Sequence, residues 1–421
     1  TEAATRRAFP DGTGMLVVNE VVPGTPADGR LQVGDILVRI AGRAVTEFVP
    51  LADVLDGRVG ADVVLDIERN GAPLSVAVRV GDLEDVTPAG YLQFGDAVVH
   101  DLSLQQARHF NRPPRGVYVA NPGFVLSSAG IPRGALIVAI DGSPVAGIAD
   151  LEAALDRLAD RARATLRYVT MDEPAASRLR VIRMDRRWFP AVRCRRDDAL
   201  GVWPCRELAA GPPAAPPVPA TARPGEYRDP RVAKLAPALV LVNFDMPYTV
   251  SGVAEQHYFG TGVVVDAARG LVAVDRNTVP EAMGDVRITF AGAVEVPGRV
   301  AYVHPAHNLA LVAYDPALVG ATPVAAVRLA ERPPEPGDAL WVVGLRGGEQ
   351  LAAQPTVMKS LRATTYPLSR TMRFREANLE TYELQDGPRD IDGVVVNRRN
   401  EVVALWSSFA WQGNGDLKQE N

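Results

Sequence analysis

A twelve-residue pattern recurs in this chain at an offset of 100 residues: Gly34–Val45 reads GDILVRIAGRAV and Gly134–Val145 reads GALIVAIDGSPV. Self-similarity at one spacing means that one supersecondary unit is used twice. In the first copy Ile36–Ile40 alternates as a strand and ends in a turn at Gly42. Phe48–Leu55 then places Leu51, Val54 and Leu55 at helical spacing. The register holds through that helix, because Leu51, Leu55 and Asp56 match Leu151, Leu155 and Asp156. Asn70-Gly71, between the strands Val63–Arg69 and Leu74–Val80, is the strongest short hairpin signal. Upstream, Val117–Ala120 stands where Met15–Val18 stood, two residues out of step. The copies differ in that Ala135 replaces Asp35, and in a leading segment, Gly90–Phe110, read as one strand and a short helix over Leu102–Phe110.

A chain of 421 residues has room for three ordinary domains. With 47% apolar and 23% charged residues and no apolar run of membrane-spanning length, it reads as globular, with no membrane span. A net charge of −5 argues against a nucleic-acid partner. Cys194 and Cys205 cannot make a disulfide framework; one bridge or two free thiols fit their spacing equally. The arginines between Arg178 and Arg196 are read as the wet face of a strand, Leu179–Met184, because no aromatic interleaving accompanies them. Ala209–Arg223 is a Pro/Ala-rich linker.

Pro23-Gly24-Thr25-Pro26-Ala27, Leu31-Gln32-Val33-Gly34-Asp35-Ile36-Leu37 and Ile40-Ala41-Gly42 together resemble a PDZ domain of the HtrA type. The resemblance implies peptide binding by strand addition between the first strand and the helix, with a backbone nest for a terminal carboxylate. In the first copy the nest is Thr13-Gly14-Met15-Leu16, facing Leu51 and Leu55; in the second it is Arg115-Gly116-Val117-Tyr118, facing Leu151 and Leu155. The expected partners are peptide or protein C-termini, with a homo-oligomer as a further expectation.

Phe259–Val279, FGTGVVVDAARGLVAVDRNTV, reads as two Val-rich strands, Gly262–Asp266 and Leu271–Asp275, joined at Ala267–Gly270. With strands at Ala238–Phe244, Val286–Phe290, Val294–Val303 and Leu309–Tyr314 it makes a first six-stranded barrel; Ala339–Leu345, Ala352–Arg362, Phe374–Glu383, Gly393–Val396 and Val402–Ser407 begin a second. This resembles the trypsin-like domain of HtrA/Deg serine proteases. Aligned from Gly260-Thr261-Gly262, that family's catalytic His falls on Asn277. Its Asp falls on Asn308, within His304-Pro305-Ala306-His307-Asn308-Leu309-Ala310-Leu311, and its Ser on Ile391, within Arg389-Asp390-Ile391-Asp392-Gly393. An amide takes no proton from serine at neutral pH, so the expectation is a degenerate, triad-less domain. Arg389 and Asp392 also replace glycines that shape the oxyanion hole. Ser407 and Ser408 lack a flanking glycine turn, His257 reads as a loop residue, and His304 and His307 at i, i+3 lack companions for a metal. No cofactor and no metal are expected.

The order, tandem PDZ domains followed by a triad-less protease domain, resembles the large duplicated Deg/HtrA proteins. The expected fold is mainly β with short helices: two PDZ-like domains (1–86 and 87–187), a Pro/Ala-rich linker (188–230) and a C-terminally incomplete trypsin-like double barrel (231–421). Both ends look cut, as in an internal fragment. The implied function is a non-catalytic peptide-binding and assembly segment. The alternative is a serine endopeptidase of protein quality control, active through a protease domain upstream.

Overall fold

The computed structural model describes residues 14–209, 211–248, 256–305, 307–347, 350–365, 378–406, 409–413 and 416–420. The chain divides into two compact units, 1–215 and 216–421.

The first unit holds both repeats. The first repeat comprises β1 (Leu16–Val17), β2 (Ile36–Ile40), β3 (Arg43–Ala44), α1 (Phe48–Asp56), β4 (Asp62–Arg69) and β5 (Ala72–Arg79), with sheet order β1-β2-β4-β5 and β3 paired to β2. Asn70 and Gly71 both take positive φ, +51° and +83°, so the two-residue turn matches the twist of β4 and β5. Leu16, Leu37, Ile40, Val63, Leu65 and Ile67 form its core.

The second repeat is larger: β6 (Gly90–Phe94), β7 (Ala97–Asp101), α2 (Leu104–Phe110), β8 (Val117–Asn121), α3 (Gly123–Ser128), β9 (Leu136–Ile140), β10 (Ser143–Pro144), α4 (Ile148–Leu155), β11 (Arg163–Val169), β12 (Arg178–Arg183), β13 (Val192–Arg195) and β14 (Cys205–Glu207). One sheet runs β12-β11-β9-β8-β7-β6-β13-β14. A capping box opens α2, with Ser103 Oγ accepting from Gln106 N and Gln106 Oε1 accepting from Ser103 N, each at 3.1 Å.

Three features depart from expectation. Gly90–Phe110 makes two strands rather than one, because Gly95 and Asp96, at φ +51° and +63°, fold β6 back on β7. An ideal Cβ on Gly95 would stand 2.2 Å from Val125 Cγ2, so only glycine fits. Second, the segment expected as a linker contains β13 and β14, which pair with each other and extend the sheet beyond β6, and Cys194 and Cys205 are bridged. Third, β12 lies at the sheet edge with Leu179 and Val181 both 54% exposed, so its outer face is not purely basic.

The second unit opens with α5 (Pro230–Leu235), capped by Asp229. β15 (Leu239–Asp245), β16 (His257–Asp266), β17 (Leu271–Val274), β18 (Asp285–Phe290), β19 (Val294–Val303) and β20 (Ala310–Tyr314) close into a barrel in the order β15-β16-β17-β20-β19-β18. Alternate valines fill it, and Gly262 is forced: a Cβ there would meet Val272 and Val242 methyls at 2.6 and 2.7 Å. β21 (Ala339–Arg346), β22 (Gln350–Thr365), β23 (Asn378–Gln385), β24 (Ile391–Val396) and β25 (Val402–Trp406) form an open half-barrel in the order β23-β22-β21-β24-β25. β26 (Phe409–Gly413) and β27 (Asp416–Glu420) make a separate hairpin. Leu239, Val263, Val343 and Val394 share one core that joins barrel and half-barrel.

Candidate functional site

The three positions aligned with the triad fall on adjoining segments where barrel and half-barrel meet. Asp275 follows β17, and Arg276 N donates to Asn308 Oδ1 at 2.9 Å, which sets the segment holding Asn277 beside Asn308. Thr278 N donates to Asp275 Oδ1 at 2.9 Å, and its hydroxyl lies 3.2 Å from Asp275 Oδ2. Ile391 opens β24 and is 4% exposed. Its neighbour Asp392 reaches across to β16, accepting from Thr261 N at 2.7 Å, while Thr261 Oγ1 donates to the Asp392 carbonyl at 2.5 Å. Leu345 N of β21 donates to that same hydroxyl at 3.3 Å. Gly260 closes the knot: a Cβ there would lie 2.1 Å from Thr278 Oγ1 and 2.9 Å from Asp392 Oδ2. Asp392 and Thr278 thus close on one glycine, with Asp275 behind the Thr278 hydroxyl.

Burial, and then the charge of Asp275, push the Asp392 carboxyl up to about 7, against the hydrogen bonds from Thr261 and Gly393 that pull it down. A carboxyl in this state holds a proton near neutrality and tethers two strands. At the aligned nucleophile position stands a buried aliphatic side chain. The pairing of Asp392 with Thr261 is absent from the motif pattern; its signal in the sequence is an acid two residues before Asn277 and another directly after Ile391.

The histidines are held in local contacts. His257, expected in a loop, is the first residue of β16; its Nδ1 lies 3.0 Å from Asp245 Oδ1, and Asp245 also accepts from Arg287 Nη2 at 2.5 Å. His304 Nδ1 accepts from His307 N at 2.9 Å, and the two rings lie 4.4 Å apart. His100 Nδ1 lies 2.7 Å from the Asp101 carbonyl. Ser407 and Ser408 lie outside the described residues.

The two expected peptide grooves differ. Thr13 lies outside the described residues. Gly14 packs against the Thr46 carbonyl, Met15 is exposed, Leu16 is buried, Leu51 and Leu55 are half-buried, and Phe48 and Val49 at the start of α1 are exposed. Among the described residues no strand pairs with the outer edge of β1. The second groove is closed where the sequence drew it. Both edges of β8 are taken, by β7 and β9, so Val117 and Tyr118 offer no edge. Gly116, which follows Arg115, donates its amide to Ala146 O at 2.8 Å and accepts from Leu102 N at 3.0 Å. Leu151 and Leu155 are fully buried core residues. The physical cause is the extra β6–β7 hairpin, which supplies from within the chain the strand that a ligand would add.

Comparison with known proteins agrees with the fold. A PDZ domain profile matches residues 17–69 and a PDZ-like domain profile matches residues 85–161. The fold and these matches define a mostly β chain carrying PDZ domains. The sequence is similar to curated proteins named as serine proteases. It is 31% identical to Protease Do-like 7 of Arabidopsis thaliana, covering 98% of this chain and 47% of that protein. It is 33% identical to the pro-apoptotic serine protease NMA111 of Coccidioides immitis, covering 97% of this chain and 40% of that protein. The chain therefore spans about half the length of these curated relatives, or less. Among solved structures, the Rv3671c protease of M. tuberculosis in its active form aligns over 48% of this chain and 85% of that one, at 20% identity and a TM-score of 0.35.

Proposed function

We propose that this chain is a non-catalytic binding and assembly segment of an HtrA/Deg-type protease. The observation that supports this most is the identity of the residues gathered at the barrel junction: Asn277, Asn308 and a buried Ile391 at the positions aligned with base, orienting acid and nucleophile. Acyl transfer needs a nucleophile beside a base and an oxyanion hole ready to receive charge. Here the residue after the nucleophile position is an acid whose carboxyl is hydrogen-bonded to another strand and, once ionised above about pH 7, opposes a developing oxyanion. The units 1–86 and 87–187 act as PDZ-like modules and 231–421 as a pseudoprotease that supports substrate handling or oligomerisation. Peptide C-termini add as a strand along β1, beside Leu51 and Leu55 of α1.

The test is a fluorophosphonate serine probe, with casein hydrolysis as a second readout. No labelling and no turnover are expected from the chain; labelling at any serine refutes the proposal. A second reading, in which the whole protein is a serine endopeptidase of protein quality control acting through a domain outside this chain, is supported by the names of the relatives. Labelling of the full-length protein, with none on this chain, distinguishes it.

A further inference from the structure

β13 and β14 cover an edge that lies beside a helix. β13 runs antiparallel to β6, pairing Val192 with Gln93, Arg193 with Leu92, Cys194 with Tyr91 and Arg195 with Gly90. α4 packs against β6 and β7, so β13 sits in the row of strands next to that helix. Beyond it β14 is exposed along its whole length, and it is joined to β13 by the Cys194–Cys205 bond between directly opposed residues.

Strand alternation sorts the cover into two faces. Arg193 and Arg206 are opposed and share the side of Leu92, which is fully buried in the core under α4. On this side Arg206 pairs with Glu152 of α4, and Arg193 lies in the field of Asp101 and Glu152. Arg193 Nη1 is buried with no hydrogen-bond partner, so its guanidinium is held by charge and pairing register rather than by a closed hydrogen-bond set. On the other side Tyr91 lies against Trp203, with ring centroids 5.8 Å apart, and near Cys205 Sγ. Cys194 is fully buried and Cys205 exposed.

A two-stranded hairpin of this length is marginal on its own, and a bridge between its strands removes conformations that the open chain would otherwise gain. We propose that the Val192–Glu207 hairpin is a disulfide-stapled cover, and that a dithiol reductant releases it to open the edge of β6 to an extended basic peptide. A thiolate of the dithiol attacks the exposed Cys205 Sγ; the S–S bond breaks and Cys194 leaves as a thiolate that takes up a proton. The second thiol then displaces Cys205, which is also protonated, and the reductant departs as a cyclic disulfide. The occupant that fits adds antiparallel to β6, with an Arg or Lys opposite Leu92 to replace Arg193 before Asp101 and Glu152, and a small residue opposite Tyr91. This edge is separate from β1, so the outcome does not depend on whether the first groove binds a C-terminus.

The probe is a fluorescein-labelled peptide of Pro190–Arg196 carrying Cys194→Ser, read by polarisation against the whole chain with and without dithiothreitol. Binding at least about tenfold tighter is expected under reduction, and in the Cys205→Ser variant without reductant. Glu152→Gln should weaken the reduced-state binding about fivefold, and a peptide with both central arginines changed to Glu should not bind. Hydrogen exchange follows the cover directly: amides of Gly90–Phe94 and Val192–Glu207 should exchange at least about tenfold faster after reduction, while the β8 and β9 amides keep their protection. Unchanged exchange in those two segments, or peptide affinity equal in the oxidised and reduced forms, overturns the proposal.

Discussion

Asp35 shows how one residue can be fixed in one repeat and dispensable in the other. It is 1% exposed and accepts two parallel bonds from Arg69, at 2.8 and 2.7 Å, plus one from Gln32 N at 2.8 Å. The Arg69 hydrogen bonds are the main reason its carboxyl lies below the ordinary range. In the second repeat Ala135 stands at that position, and strand register puts Thr170 where Arg69 was, so an ion pair between a buried Asp35 and a partly exposed Arg69 has been exchanged for small, weakly polar packing. Loss of Arg69 alone would strand the buried Asp35 carboxylate, whereas loss of Asp35 removes the charge-assisted bonds and leaves Arg69 partly exposed and still donating to Arg30 O. Asp35→Ala should therefore cost the first repeat about 2–3 kcal/mol at pH 7. Adding Arg69→Thr should cost little further, which urea unfolding of the pair and the double variant measures. Because the folded-state pKa is depressed, the contribution is fully present above the unfolded value of about 3.9 and is lost below it, as pH falls through the lower folded-state value. The wild-type and Asp35→Ala curves should converge in acid.

Asp392 carries the opposite sign. Its folded-state pKa is raised to about 7, so between the unfolded value and 7 the native state binds the extra proton. Stability from this group is thus greatest in acid and declines as pH rises from about 4 to 7, by an amount on the order of a few kcal/mol at most. Asp392→Asn keeps an acceptor for Thr261 N and does not titrate. Its melting-temperature advantage over the wild type should be largest at pH 8, smaller at pH 5 and gone below about pH 4; parallel curves for the two proteins would contradict this account.

At the scale of elements, what the sequence disclosed follows from how local each signal is. The Asn70-Gly71 turn, the alternation in Ile36–Ile40 and the Val-rich strands around Gly262 each announce themselves within a few residues, and all three are in place. β6 and β7 look like a single strand in the sequence because Gly95-Asp96 places glycine first, against the Asn-Gly and Asp-Gly order that marks this turn most strongly. β13 and β14 are short, sit beside the Pro/Ala-rich stretch and owe their existence to the edge of β6, a tertiary partner that no local pattern shows. The closure of the second groove follows from the first of these hairpins, since β7 takes the edge of β8, while β13 and β14 cover the edge of β6. If the Gly95-Asp96 turn organises this region, Gly95→Ala should do more harm than the usual glycine substitution. A methyl there needs positive φ and overlaps Val125 Cγ2, for a cost of more than about 2 kcal/mol. Tyr168, fully buried in the same core, is the local probe: its near-ultraviolet dichroism should fade at lower temperature in the variant.

For the molecule as a whole, the decisive question is whether the barrel junction is a protease lacking three side chains or a structure committed to another use. The surroundings favour commitment. Gly344 and Gly393 bring β21 and β24 so close that a Cβ on Gly344 would lie 1.9 Å from the Asp392 carbonyl, and that carbonyl is bound by Thr261. The backbone after Ile391 is thus engaged in joining barrel to half-barrel, while the Asp392 carboxyl sits on the amide of Thr261. A serine at position 391 would start from a buried site, next to an acid that opposes an oxyanion whenever it is ionised. The triple variant Asn277→His, Asn308→Asp, Ile391→Ser should therefore remain unlabelled by a fluorophosphonate and inactive on casein, although each triad member is formally present. It should also be less stable, since Ile391→Ser removes a buried side chain, a change worth about 2–4 kcal/mol. Labelling of that variant at position 391 would mean that the junction still holds a working oxyanion hole, and the commitment argued here would fail.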